Sequence, residues 1–305
     1  MTAVSQNFRT TILELYGEQG AEWLRDLPEM IVNYEQRWAI QVQQPFDLSY
    51  NYVAPAVRAG GTPVVFKAGV PHPELFSEMS ALRIFDGRGI ARLLEADEEH
   101  GVMLLERVFP GTMLADLEDD EQATSIAVQV MRQLWQPAPK VHAFPTVADW
   151  ASGLSRIKGH YAGGTGPFPP GMVDRAEKLF AELICTMGEQ VLLHGDFHHY
   201  NILAADRQPW LAIDPKGVIG EAEYELGALL RNPWDRMISE PHPARLLRRR
   251  IDQLSDELGF DRERIAAWSF ATQVLSCWWL VEDHGHDYEG PIELAQVMSE
   301  LLSDI

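Results

Sequence analysis

The chain has 305 residues, 46% hydrophobic and 23% charged, enough to bury a core across two lobes and too apolar for a disordered chain. Its 45 acidic residues against 25 basic ones give a formal charge of −20, which repels nucleic-acid phosphates and anionic lipid and attracts cations. Cys185 and Cys277 lie in apolar helix-like stretches, the N-terminus has no basic start followed by an apolar run, and no 18-residue apolar segment occurs. The expectation is a soluble cytoplasmic protein with buried free thiols, binding neither membrane nor nucleic acid.

Residues 1–40 read as helical, with Ile12, Leu15, Trp23, Leu24, Leu27, Ile31, Tyr34 and Trp38 at three- and four-residue spacings and Pro28 dividing the run. Phe46–Val57 and Val64–Lys67 read as strands of a hairpin turned at Gly60-Gly61-Thr62-Pro63. A helix over Glu74–Asp86 stops at Gly87 and Gly89. Strands follow near Ala91–Ala96 and Val102–Arg107, completing a small α+β lobe. Phe109-Pro110-Gly111-Thr112 breaks the pattern, so the expected division is 1–108 and 109–305.

Beyond the break, helices are expected at Glu121–Trp135, Met172–Met187, Glu223–Arg231, Pro243–Leu258, Arg262–Asp283 and Pro291–Ser303. A strand-like pair, Val191–Leu193 and Trp210–Ile213, interrupts them. Gly163–Gly171 holds too much glycine and proline for regular structure and reads as a surface loop.

The segment His194-Gly195-Asp196-Phe197-His198-His199-Tyr200-Asn201 has the spacing H-x-D-x-x-x-x-N. Phosphoryl transfer passes through a loose transition state, so the protein mainly positions groups and neutralises charge. That chemistry needs a carboxylate at the attacking hydroxyl, here Asp196. It also needs oxygen donors for Mg²⁺ on the phosphates of ATP. Asn201 is one, and Asp214, at the exit of the apolar strand Trp210–Ile213, is the other. A strand lysine for the α- and β-phosphates is Lys67, and its helix partner is Glu78, with Glu74 as the alternative. No G-x-G-x-x-G loop precedes the lysine, so the phosphate-covering turn falls to Ser49-Tyr50-Asn51, with Ser49 and Asn51 as ligands. Asp214-Pro215-Lys216-Gly217 replaces D-F-G, which argues against a regulated protein kinase.

His194–Leu203 followed by Trp210–Gly217 resembles the aminoglycoside/hydroxyurea antibiotic-resistance kinases, the group that includes streptomycin 6-phosphotransferases. Leu82–Gly89, Leu104–Arg107, Pro110–Thr112 and Gly227–Asn232 fit the same pattern. The resemblance implies a protein-kinase-like, two-lobe α+β fold: a small N-lobe with an antiparallel sheet and a helix, then a mostly helical C-lobe. It implies Asp196 as catalytic base, Asn201 and Asp214 on Mg²⁺, and Lys67 with Glu78 as the nucleotide anchor. It also implies a hinge at Glu106–Phe109 receiving adenine through Arg107 and Phe109. The acceptor is then a small hydroxylated molecule, with cationic aminocyclitols such as streptomycin and the neutral hydroxyurea as candidates. A kinase of another metabolite, sugar or amino alcohol, and a silent nucleotide-binding pseudokinase stay open beside it.

A cationic substrate calls for carboxylates, and Glu221, Glu223, Glu225, Asp235, Glu282 and Asp283 are the candidates. Glutamates near a helix start equally serve its dipole. Of His198 and His199, one is expected to pack and the other to face solvent or substrate. His284-Gly285-His286-Asp287 reads as a helix C-terminus rather than a metal site. Trp268, Phe270, Trp278 and Trp279 on one long helix read as core.

Overall fold

The computed structural model describes residues 4–283 and 285–305. Contacts divide the chain into two units, one ending at Phe109 and one beginning at Pro110.

In the first unit, α1 spans Gln6–Arg37, and Ser5 caps it by accepting a hydrogen bond from the Phe8 N–H. Its apolar residues fall on one face, where Phe8, Ile12, Trp23, Leu24, Leu27, Ile31 and Tyr34 are buried. The expected division at Pro28 is not found. The helix continues through the proline, and the irregular residue is Gly17, at φ 54° and ψ −124°. The buried face extends to both sides of Pro28, so packing outweighs one lost backbone bond, while glycine reaches positive φ without a Cβ clash.

The sheet contains β1 (Ile40–Val42), β2 (Tyr52–Arg58), β3 (Pro63–Ala68), β4 (Leu93–Asp97) and β5 (Val102–Glu106), with α2 (Pro73–Phe85) between β3 and β4. The strand order is β1-β2-β3-β5-β4 and every neighbouring pair is antiparallel. Lys67 lies on the central strand, opposite Val53 on one side and Met103 on the other. Side chains alternate along a strand. Val64, Phe66 and Ala68 therefore join the cluster that α1 covers, while Lys67 faces the other way, where α2 lies.

The second unit begins with β6 (Pro110–Met113), α3 (Asp120–Leu134), β7 (Gln136–Pro137), α4 (Val147–Ala151), α5 (Ser155–His160) and α6 (Met172–Cys185). Then come β8 (Val191–Leu193), β9 (Ile202–Ala205), β10 (Trp210–Ala212), β11 (Val218–Gly220) and α7 (Leu226–Leu230). The chain closes with α8 (Trp234–Ser239), α9 (Pro243–Leu258), α10 (Arg262–Asp283) and α11 (Glu289–Asp304). The strand-like stretches Val191–Leu193 and Trp210–Ile213 are both found as strands, in different sheets. β8 lies between β7 and β11, whereas β10 pairs with β9, which pairs with β6. The short connection 206–209 makes β9 and β10 a hairpin.

Helix α10 packs against α6, α7, α9 and α11. Trp268, Phe270 and Trp278 on it are buried, whereas Trp279 is only half-buried. Cys277 is buried but Cys185 is exposed, contrary to expectation. The buried face of α6 runs through Met172, Val173, Ala176, Phe180 and Leu183, and a residue two past Leu183 points away from it. Gly163–Gly171 contains only turns and bends. Among the described residues no helix is long and apolar enough to cross a membrane.

One charged cluster ties α3 to α9 and to the segment after α7. Asp120 accepts from Arg250 Nε at 3.0 Å and Nη2 at 2.6 Å, from Arg236 Nη1 at 3.2 Å, and from Arg249. Burial alone would raise its pKa; the arginines hold it down at about 2. Arg250 also donates to the Leu230 and Asn232 carbonyls at 3.0 and 2.6 Å. Replacing Arg250 with methionine leaves two buried carbonyls and part of a carboxylate unpaired, and is expected to cost about 3 kcal/mol. Equilibrium urea unfolding of the variant checks this, and an unchanged midpoint would refute it.

Candidate active site

Alternation along β3 turns Lys67 toward α2, and helical spacing brings Glu78 to meet it. The Lys67 Nζ donates to Glu78 Oε1 at 2.6 Å, with the side chains 3% and 8% exposed. A charge pair this dry is maintained only by good geometry. Arg107 and Phe109 follow the last residue of β5. The Arg107 guanidinium lies 4.6 Å from the Phe46 ring centre and 5.5 Å from that of Phe109, and burial lowers its pKa. Ser49 is exposed in the bend before β2. Asn51, at the end of that bend, lies so close to Gly69 that a Cβ there would come within 2.2 Å of its Oδ1.

In the second unit the chain leaves β8 at His194. Gly195 has φ +85°, and a Cβ on it would meet Trp150 Cη2 at 2.9 Å and Val218 Cγ1 at 3.1 Å, so this turn requires glycine. His194 is fully buried. Its Nδ1 accepts from the Asp196 N–H at 3.2 Å, and its Nε2 donates to the Ile213 carbonyl at 2.8 Å. Only the neutral ring with its proton on Nε2 satisfies both bonds. Burial pushes its pKa down to about 4, consistent with that form. One ring thus binds the turn carrying Asp196 to the residue before Asp214. The His194 carbonyl also accepts from Lys216 N at 2.7 Å and Gly217 N at 3.1 Å.

The Asp196 side chain is 34% exposed, and His198 Nε2 lies 3.5 Å from its Oδ1. Burial by itself would raise the Asp196 pKa. His198, Lys216 and Arg231 more than offset this and hold the carboxyl well below the usual range. His199 is buried, and desolvation pushes its pKa down to about 3. So one histidine of the pair packs and the other faces the carboxylate.

Asn201 Nδ2 donates to the Asp196 carbonyl at 3.0 Å, and the Asn201 carbonyl accepts from Ile213 N at 2.9 Å. These bonds engage the Asn201 Nδ2 and backbone carbonyl, and the side-chain Oδ1 is a further oxygen acceptor. Asp214 is exposed and takes φ +58°, an uncommon backbone state that aspartate tolerates better than most residues. The donors these two residues offer are oxygens, the type a hard divalent cation takes.

The acidic residues are mostly turned inward or paired. Glu221 is buried and accepts from Arg264 Nε at 2.6 Å, Gly188 N at 3.1 Å and the Trp268 indole. Glu225 is buried with both oxygens engaged, by His194 N at 2.7 Å and Gly195 N at 2.9 Å. Glu282 pairs with Arg156 through two bonds of 2.8 and 2.7 Å. Asp235 accepts from the Tyr200 hydroxyl at 3.3 Å. Burial raises the pKa of Glu223. The expected option of a carboxylate ring therefore loses Glu221 and Glu225 to the backbone and interior. In the histidine motif after α10, His284 lies outside the described residues, and exposed His286 contacts Asp287 through Nδ1 at 2.7 Å.

Sequence reasoning missed what Glu225 does in the structure, accepting from the turn that carries Asp196, and it did not single out Arg231. Glu225 was weighed only as a substrate or dipole carboxylate. Arg231 sits at the C-terminal end of an expected helix, inside the Gly227–Asn232 stretch of the resemblance, where a cation ordinarily serves the dipole.

A positioned carboxylate, an amide and carboxylate suited to a cation, and a buried lysine–glutamate pair are the equipment of a phosphotransferase with an alcohol acceptor. Solved structures share the fold. A choline kinase from Streptococcus pneumoniae superposes with a TM-score of 0.66 at 14% identity, covering 92% of this chain and 100% of the other. An aminoglycoside phosphotransferase solved with ADP and hygromycin B gives 0.64 at 13% identity, covering 90% and 98%. The fold is therefore protein-kinase-like. In sequence, residues 37–284 match the model of the aminoglycoside/hydroxyurea antibiotic resistance kinases. The chain is 32% identical over 271 residues to the streptomycin 6-kinase of Streptomyces glaucescens, covering 88% of this chain and 87% of that one. It is 35% identical over 277 residues to the hydroxyurea phosphotransferase of Kitasatospora aureofaciens, covering 88% and 77%. The chain belongs to the aminoglycoside/hydroxyurea antibiotic resistance kinase family, and it is an ATP-dependent kinase.

Burial pushes the Glu225 pKa from 4.5 up to about 7, against the pull of its two backbone donors. A raised carboxyl pKa means the folded state holds the proton more tightly than the unfolded chain. Its stabilising effect is complete below pH 4.5 and declines until about pH 7, by about 3 kcal/mol in all. Urea unfolding between pH 5 and 8 is expected to show this slope, and Glu225→Gln to flatten it. Identical slopes in both proteins would disprove the assignment. Gly195→Ala is expected to remove activity and lower the unfolding midpoint, because the β-carbon meets Trp150. An alanine variant with wild-type turnover would contradict that.

Proposed function

We propose that this protein transfers the γ-phosphoryl group of ATP to a hydroxyl of a small molecule, with Asp196 orienting that hydroxyl and receiving its proton. The observation that carries this reading is the attachment of Asp196 to the strand of Asp214 through one neutral histidine. That arrangement sets a carboxylate for the acceptor beside oxygen donors for the nucleotide phosphates. The low pKa of Asp196 makes it a weak base. In a loose transition state the hydroxyl needs orientation more than early deprotonation, so a weak, ionised carboxylate serves.

Asn201 and Asp214 would hold Mg²⁺, which neutralises charge on the phosphates when bound. Lys67, held by Glu78, would contact the α- and β-phosphates. Arg107 and Phe109 would receive the adenine at the end of β5, with Ser49 and Asn51 in the turn toward the phosphates. Streptomycin and hydroxyurea are the first acceptors to examine, because relatives covering most of the chain carry those names. The cytoplasm is the compartment where the reading places this work.

Asp196→Ala is expected to lower kcat by about 10³-fold while leaving the urea midpoint near that of the wild type, since the Asp196 backbone bonds persist. Acceptor-dependent ADP release, followed over both compounds, makes the measurement. An alanine variant that still phosphorylates at the wild-type rate would remove Asp196 from the chemistry. Asp214→Asn is expected to raise the Mg²⁺ concentration needed for half-maximal rate by about tenfold or more, and an unaltered requirement would remove it from the metal site.

A further inference from the structure

Arg231 directly follows α7, and its guanidinium Nη1 is closed to solvent without a hydrogen-bond partner among the described residues. No carboxylate among them forms an ion pair with it. Burial lowers its pKa, and its charge is felt at Asp196. Arg231 as a whole is half-buried, but a donor closed to solvent and left unsatisfied calls for a specific reason. The placement of Arg231 is not loose. The carbonyls on either side of it, of Leu230 and Asn232, are both held by Arg250.

Arg231 lines a small, partly enclosed recess with Gly195, Tyr224, Glu225, Thr272 and Trp279. Gly195 puts this recess next to Asp196. Its volume is about 10 Å³, room for a single oxygen-sized group of a ligand, and Asn201, Asp214 and Lys216 do not line it. Its other polar groups are largely engaged: both Glu225 oxygens bind backbone N–H groups, and the Thr272 hydroxyl donates to the Ser269 carbonyl at 3.2 Å. Tyr224 and Trp279, each 5.5–6.2 Å from the Trp150 ring centre, give it an aromatic wall. The feature left for recognition is the Arg231 guanidinium, whose Nη1 has no hydrogen-bond partner among the described residues and whose charge interacts with that of Asp196.

We propose that Arg231 is the specificity-determining residue of the acceptor site, donating to an electron-rich oxygen beside the reacting hydroxyl and disfavouring acceptors with a cationic nitrogen there. This deepens, and rests on, the reading of Asp196 as the acceptor carboxylate. It selects a compact acceptor of the hydroxyurea kind, in which a carbonyl stands two bonds from the hydroxyl-bearing nitrogen. An aminocyclitol with a guanidinium beside its hydroxyl would meet like charge.

The test compares hydroxyurea with N-hydroxyguanidine, which replaces the carbonyl by a cationic imine of similar size. With wild-type protein, kcat/KM is expected to favour hydroxyurea by about 10- to 100-fold, the range of one hydrogen bond from a charged donor. Arg231→Met is expected to reduce that preference below about threefold with the KM for ATP unchanged, and Arg231→Lys to restore part of it. Thermal unfolding separates this from a structural role: removing an unpaired cation should leave the midpoint equal or higher. A preference that survives Arg231→Met, or a variant that loses stability and ATP affinity together, overturns the proposal. Hydroxyurea binding is measured separately by titration calorimetry on the wild-type, Asp196→Ala and Arg231→Met proteins. Binding weakened only by Arg231→Met sustains this inference even if no phosphate is transferred, in which case the kinase reading of Asp196 falls alone. Binding indifferent to Arg231, or none in the wild type, sinks it.

Discussion

Much of the second unit's chemistry depends on where one proton sits. The buried His194 ring must accept from Asp196 N and donate to the Ile213 carbonyl, and only one neutral tautomer does both. Desolvation keeps the ring neutral down to about pH 4. Two segments that the chain separates by some twenty residues are thereby set against each other, one carrying Asp196 and the other Asp214. The His194 carbonyl takes the Lys216 and Gly217 N–H groups, and Glu225 takes those of His194 and Gly195. The turn is held from both sides, so the Asp196 carboxylate is positioned before any ligand binds.

Buried charge is otherwise closed off with care. Lys67 meets Glu78, Arg250 meets Asp120 and two carbonyls, and Glu221 meets Arg264, Gly188 and Trp268. Each is a case in which desolvation is offset by several good bonds rather than by one contact. Arg231 is only half-buried; its Nη1 is closed off without a hydrogen bond among the described residues, and its charge acts on Asp196. The same local inventory explains why the acid-rich composition did not translate into a carboxylate-lined acceptor site. The net charge of −20 is mainly distributed over surface and interior networks, which says little about a recess a few side chains wide.

Much of the architecture was legible in the sequence. Periodicity located α9 and α10 end to end, and α2, α3, α6 and α11 within one or two residues at most ends. The pairing of Lys67 with Glu78 was legible because both residues carry local signals, a strand ending in lysine and a helix eleven residues on. The short elements were not: α4, α5, α8 and the three-stranded sheets lack enough residues to establish a period. Pro28 misled because propensity is a weak prior against a long buried face, and Cys185 because an apolar neighbourhood in sequence does not say which side of a helix is covered.

What the amino-acid order determined by itself was the set of candidate site groups and their local spacing: Asp196 five before Asn201, Asp214 after an apolar strand, glycine where φ must be positive. These follow from covalent geometry and short-range sterics, which a sequence carries in full. Tertiary structure alone decided the proton on His194, the capture of Glu225 by the turn that carries Asp196, and the unpaired Nη1 of Arg231. Each depends on burial and on donors supplied from distant segments, and desolvation is a property of the assembled neighbourhood rather than of any residue in the chain.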